Sequence, residues 1–267
     1  MATHHLFVPG MGSAHLDGDW LRALDRHPIR RCARLVHAFG FSTAAVETTL
    51  RTGYPPRVHG VLFPGDLPRV PDLLGEIHQR NDSLLSESSR SVQVRLLNAI
   101  LDDLLQRPGD LVLVSSGPEL RSSHRVAELP RSAIDGSGLR VRTHDHFALC
   151  ESVSSGAAMT PELRDELLRT RGVARVLDPT EESAGAWMAP ADRGWILMAE
   201  PDWSFDHPRP GGSPGGPLLL AFGPEWKRRW PDSVHDWRVA PTLLRALGRP
   251  AAASFDEPLD GAESLRG

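Results

Sequence analysis

Lysine is nearly missing from this chain. Among its 267 residues are 30 basic side chains, and all but Lys227 are arginines. An imine-forming mechanism would have to use Lys227, which sits in the charged run EWKRRW, where an exposed ammonium keeps its proton. Cysteine is scarce as well. Cys32 and Cys150 allow one bridge at most, and without an export signal they are expected as buried thiols. No apolar run approaches the roughly 20 residues needed to cross a bilayer. The longest, LVLV at 111–114 and PLLLAF at 217–222, read as buried strands. A leader is not evident either: MATHHLFVPGMG has no basic segment followed by an apolar one, so a cytoplasmic location is expected by default. Positive charge is in deficit, with a net charge of -4 and dispersed arginines. That excludes a nucleic-acid footprint, and KRR at 227–229 is too short to restore one.

What is present is the composition of an ordinary globular protein, 40% hydrophobic and 24% charged. The length suits one substantial α/β domain over residues 1–267, with a low-complexity loop at 209–216 and a tail at 250–267. HLFVP at 5–9 reads as a strand entering a Gly-rich turn. Residues 43–52 read as a helix stopped by Gly53 and the Pro55-Pro56 pair, and VPDLLGEIHQ at 70–79 as a second helix. Between 91 and 107, Leu97, Ile100, Leu101, Leu104 and Leu105 recur at helical spacing. Residues 110–116, 139–151, 173–177, 194–200 and 217–223 read as strands. Thr160 as N-cap and Pro161 at the first helical position open a helix that Gly172 stops, and 239–248 is a closing helix. Strands alternating with helices predict a largely parallel sheet covered on both faces, with the site at the carboxyl ends of its strands.

The stretch FSTAAVETTLRTGYPPRVHG at 41–60 carries the most specific signal. Its TLRTGYPPRVHG (49–60) resembles a TLxTGxxPxxHG element of the alkaline phosphatase superfamily, in the type I phosphodiesterase and nucleotide pyrophosphatase branch. RVPDLLGEI, GVARVLDPTEE, GWILMAEPDWSFDH and VAPTLLRALGRP are similar to later family segments and follow in family order. The resemblance implies a three-layer α/β sandwich with a largely parallel central sheet, the cap insertion being absent or minimal. It also places Thr43 where the family has its nucleophile, next to Ser42. Family enzymes activate that hydroxyl with two zinc-like ions held by Asp and His side chains. Here Pro9 stands at the first ligand position, in PGMG. DSLLS keeps Asp82 but has Ser86 for the His of the second pair, SSGPEL at 115–120 offers neither Asp nor His for the third, and Pro214 replaces the last His. One carboxylate does not hold a dication, so no metal and no other cofactor is expected.

Without a metal, Thr43 needs a base within hydrogen-bond reach or serves only as a helix cap. Glu47, one turn on, His59 and His207 in SFDHPRP are the candidates, with His59 expected to pack and Glu47 to be solvated unless used. HDH at 144–146 places two imidazoles on one strand face, and His4-His5 opens the first strand, neither where the family's metals sit. Trp187, Trp195 and Trp203 are core residues or pocket walls. Thr43 and His207 are therefore the catalytic candidates, and Pro9, Ser42, Glu47, Asp82 and Pro214 the substrate-binding ones. The function expected is metal-independent chemistry on a small organic molecule (elimination, cyclisation, rearrangement or ester and acyl chemistry), in a bacterial biosynthetic pathway. The arginine bias fits a GC-rich genome. The alternatives are a catalytically dead homologue that binds a ligand or partner protein, and a phosphodiesterase or nucleotide pyrophosphatase.

Overall fold

In chain order the strands are β1 (Thr3–Val8), β2 (Arg31–Val36), β3 (His78–Arg80), β4 (Leu111–Ser116), β5 (Ser123–Val126), β6 (Leu139–His144), β7 (Phe147–Ser152), β8 (Val173–Leu177), β9 (Trp195–Ala199), β10 (Asp202–Ser204), β11 (Leu218–Phe222) and β12 (Ser233–His235). The helices are α1 (Thr43–Thr52), α2 (Pro56–His59), α3 (Arg90–Leu104), α4 (Arg131–Gly136), α5 (Pro161–Arg169) and α6 (Val239–Ala246). The computed structural model describes residues 2–13, 27–82, 90–107, 109–118, 122–153, 157–178, 194–208, 215–224 and 229–249. The chain divides into two compact units: residues 1–55, 68–119 and 213–267 form the first, and 56–67 with 120–212 the second.

The first unit is built on a six-stranded sheet in the order β12-β2-β11-β4-β1-β3. β1 pairs in parallel with β3 and β4, and β12 with β2, while β11 is antiparallel to both β4 and β2. Five strands thus run one way and β11 runs against them, which makes the sheet mixed. Period-2 alternation assigns its two faces. Phe7, Leu111, Leu113, Leu219 and Leu35 cluster with Val46 and Leu50 of α1 and Val239 and Leu243 of α6. Leu6, Val8, Val112, Val114, Leu220 and Phe222 cluster instead with Leu97, Leu101 and Leu104 of α3. The apolar spacing read in 91–107 is thus the face α3 turns to the sheet.

The second unit has its own sheet, β6-β7-β9-β8, antiparallel at every pairing, and a separate parallel pair, β10-β5. Its core gathers Ile134 of α4, Leu163 and Leu167 of α5, and Ala148, Cys150, Val176 and Leu197 of the strands, with Trp195 and Trp203 packed against them. Thr160 caps α5 as expected, accepting from Leu163 N at 3.2 Å. The segments 173–177 and 194–200 are strands, but they belong to this antiparallel sheet rather than to the parallel one. Residues 139–151 are not one strand. Asp145 takes a positive φ of 43° and turns the chain into the β6-β7 hairpin, so HDH is a turn and not a strand face. His146 there binds the Trp203 carbonyl at 2.8 Å.

Two further readings change. VPDLLGEIHQ forms no α-helix: only Gly75–Ile77 winds, as a single 3-10 turn, and His78 leaves it as strand β3. Asp72 accounts for the turn, because its carboxylate accepts from Leu74 and Gly75 N–H and pairs with Arg51, anchoring the loop to α1. Cys32 is exposed on β2, whereas Cys150 is buried and its thiol is pushed up to about 12 by burial; both are free. Among the described residues no helix is long and apolar enough to cross a membrane. Trp187, Pro214, Lys227, Ser86 and the tail at 250–267 lie outside the described residues.

Gly223 ends β11 at φ 110°, where a Cβ would stand 2.1 Å from the Asp110 carbonyl oxygen. Gly223→Ala should therefore cost at least about 2 kcal/mol of stability in urea unfolding. Gly136→Ala, at a helical position with open space around it, should cost nothing.

Candidate functional site

The start of α1 lies beyond the carboxyl end of β2, and its first turn sorts the two adjacent hydroxyls. Ser42 is extended (φ -133°, ψ 122°) and fully buried, and its Oγ accepts from Ala45 N at 3.2 Å. Ser42 is the N-cap. Thr43, expected as cap or nucleophile, is the first helical residue, half-buried, and its hydroxyl has no part in that cap. No acidic residue stands in the first turn, so the positive pole of the helix is not neutralised there. At the other end Gly53, in the left-handed region at φ 71°, caps through its N–H to Thr49 O. Thr48, Thr49 and Thr52 spend their hydroxyls on carbonyls one turn back.

Around the strand ends, the turn after β1 and the loop after β4 meet. A Cβ on Gly117 would stand 3.1 Å from the Cα of buried Pro9, so the two turns approach closely. Asp82, the one ligand-type residue kept, is exposed, and both its oxygens lie 2.9 Å from Arg80 Nε. Among the described residues no group of three or more His, Cys, Asp or Glu side chains is placed to hold a metal ion. The described residues do not fit a pair of metal ions.

Beside these turns lies a buried ion pair that sequence reasoning missed. Asp236, fully buried between β12 and α6, accepts from Ala38 N at 3.3 and 3.2 Å and from His37 Nδ1 at 3.2 Å. The other ring nitrogen, Nε2, lies 3.1 Å from the Gly117 carbonyl. Both ring nitrogens of His37 thus face acceptor oxygens. The pair straps the ends of β2, β4 and β12 together. Its signal in the sequence was slight: HDWR directly precedes VAPTLLRALG, but His37 follows a strand, RCARLV, that alternation does not reveal.

Under α1 runs a second polar array. His5 is fully buried on β1, with Nε2 2.7 Å from Ser115 Oγ and Nδ1 2.8 Å from His78 Nδ1. His78 Nε2 lies 3.0 Å from Glu47 Oε1, and Arg80 Nη1 donates to Glu47 Oε2 at 2.7 Å. Burial, then the charge of His78 and that of Arg51, push the His5 pKa well below its ordinary 6.5. Burial alone would raise Glu47, but hydrogen bonds from His78 and Arg80 outweigh it and hold the carboxyl below its usual range. Glu47 is accordingly a paired carboxylate, not the solvated one expected, and a weakened base.

The remaining candidates belong to the second unit. His59 is fully buried and its Nδ1 accepts from Val61 N at 3.0 Å, the packing role expected of it. His207 is exposed, and its carbonyl accepts from Ser204 Oγ at 2.8 Å. Thr43, Ser42, Pro9, Glu47 and Asp82 all fall in the first unit.

This mixed α/β architecture is similar to solved structures of alkaline phosphatase-like fold. Human ectonucleotide pyrophosphatase/phosphodiesterase 5 matches at a TM-score of 0.70 and 12% identity, over 99% of this chain and 99% of that one. An inactive threonine-to-alanine variant of the murine protein, in complex with AMP, matches at 0.65 and 12% identity, over 99% of this chain and 100% of that one. Phosphonoacetate hydrolase from Sinorhizobium meliloti, in complex with phosphonoacetate, matches at 0.60 and 14% identity, over 90% and 94%. These neighbours are members of the alkaline phosphatase superfamily, and at such identities the likeness is one of fold. No family model and no curated protein matches the sequence.

Ser42→Ala should destabilise the protein by about 1 kcal/mol, whereas Thr43→Ala should change stability by less than about 0.5 kcal/mol, both read by urea unfolding. A folded-state pKa depressed below 6.5 means that the unfolded chain binds more protons in that window. The His5 contribution is therefore complete above pH 6.5 and is lost as pH falls toward the folded value. Stability should fall by up to about 1.4 kcal/mol per pH unit below 6.5, and His5→Gln should flatten that slope.

Proposed function

We propose that this chain is an alkaline phosphatase-like enzyme turned to metal-independent chemistry on a small organic molecule bound at the start of α1. The observation that carries this reading is the division of labour in the first turn: Ser42 takes the cap, and Thr43, at the family's nucleophile position, does not. An unneutralised helix N-terminus favours a substrate with an anionic group, a carboxylate or a phosphate. The contact of Pro9 with Gly117 and the pairing of Asp82 with Arg80 argue against the family's metals. We infer the three-layer arrangement from the helices on both faces of the first sheet.

Thr43 then acts by hydrogen bonding to the substrate or as a nucleophile helped by a base, the classes of reaction open to it being elimination, cyclisation, rearrangement and ester or acyl transfer. Glu47 is engaged and lowered, and His59 is buried with Nδ1 occupied. The same arrangement without a base would make a ligand-binding protein. A bacterial biosynthetic step, with neither metal nor cofactor, completes the reading.

The structural neighbours favour a second reading, a phosphodiesterase or nucleotide pyrophosphatase, since two of them carry those activities in their names and one binds AMP. Elemental analysis and turnover of a nitrophenyl phosphodiester separate the two. The first reading expects no stoichiometric zinc and no turnover. Two zinc ions per chain with turnover abolished by Thr43→Ala would establish the second. For a ligand that co-purifies or is soaked in, Thr43→Val should weaken binding about tenfold or more while leaving the protein folded; unchanged binding would remove the ligand from the helix start.

A further inference from the structure

We propose that Ser115, His5, His78 and Glu47 form a relay that holds at most one added proton and positions helix α1, and with it Thr43, against the sheet. The part concerning Thr43 rests on the reading of the helix start given above; the proton relay itself does not.

Hydrogen-bond bookkeeping leads to it. Glu47, lowered by its partners, offers only acceptors to His78 Nε2 at 3.0 Å, so that nitrogen carries a proton. In a neutral His78 the other nitrogen, Nδ1, is then an acceptor. The contact of 2.8 Å between the two Nδ1 atoms needs one proton between them, which puts it on His5. His5 Nε2 is left as an acceptor, and Ser115 donates its hydroxyl to it at 2.7 Å. Every bond in the line then points toward Glu47. One added proton makes His78 an imidazolium, which donates from Nδ1 to His5 Nδ1. His5 then carries its proton on Nε2 and donates it to Ser115 Oγ. The Ser115–His5 and His5–His78 bonds reverse, the His78–Glu47 bond keeps its direction, and every contact is kept. A second added proton would leave two N–H groups facing each other across 2.8 Å and would break the line.

The line joins four elements: β4 through Ser115, β1 through His5, β3 through His78 and α1 through Glu47. β3 is the short edge strand, held to β1 at His5, Leu6 and Phe7, so breaking the His5–His78 contact loosens the strand that supports Glu47. The charged groups that face the array are Arg51 of α1, paired with Asp72, and Arg80 of β3, shared between Glu47 and Asp82. Both arginines oppose a second proton. Glu47 lies one turn from Thr43 on α1, so what moves Glu47 moves the helix start.

Nitrogen-15 NMR of the histidine rings across pH 8 to 5 tests this without any ligand. At the upper end His5 is expected in the Nδ1–H form and His78 in the Nε2–H form, and the pair should take up a single proton that switches His5 to Nε2–H. Glu47→Gln should lower the pH of that uptake. The Thr43 amide shift should follow the same midpoint, whereas α1 amide protection should be kept across it and fall about tenfold or more in His78→Ala, which breaks the line. His5 found as Nε2–H at pH 8, or two separate one-proton titrations of which that of His5 is unchanged in His78→Gln, would overturn the relay. A Thr43 amide indifferent to the switch would overturn its positioning role. Loss of the proposed enzymatic function would touch neither readout.

Discussion

An imidazole with no exposed surface must find a partner for each ring nitrogen, because a buried polar atom left alone costs about as much as a whole hydrogen bond contributes. His5 sits in the middle of β1 and meets this demand sideways, through Ser115 on β4 and His78 on β3. Meeting it fixes much of the first unit. His78 reaches His5 only if residues 78–80 are extended beside β1, which explains why a segment with helical apolar spacing becomes a strand after one 3-10 turn. Glu47 completes His78 only if α1 lies over that edge of the sheet with one particular rotation about its axis.

The second constraint lies at the strand ends. There the turn after β1 brings Pro9 close to Gly117 of the loop after β4. His37 and Asp236 then tie the ends of β2, β4 and β12 by a buried, hydrogen-bonded pair. Such a pair is costly to bury and costly to break, so it specifies one arrangement of loops more than it adds stability. The N-terminus of α1 is presented from this fixed frame.

Legibility in the sequence followed the reach of each signal. Helices α1, α3, α5 and α6 were readable because capping and 3.6-residue periodicity are properties of neighbouring residues. Buried runs such as LVLVSS were readable for the same reason. Pairing partners were not: 173–177 and 194–200 have strand composition, but nothing in them says that they join an antiparallel sheet with β7 rather than the sheet of β1 and β4. The hairpin at 139–152 was hidden by Asp145, an aspartate in a left-handed turn where Asn-Gly would have announced it. Glu47 was taken for a solvated residue because its two partners come from positions 78 and 80.

The sequence by itself carried a resemblance in an ordered set of short motifs, and it shows that positions 9 and 115–118 hold no Asp or His. Both are matters of residue identity along the chain. Tertiary structure alone decided which of two adjacent hydroxyls is spent on the cap, that His37 and Asp236 form a pair, and that Ser115, His5, His78 and Glu47 stand in line. Each of these depends on atoms brought within hydrogen-bond distance from segments tens of residues apart. No local pattern encodes that distance.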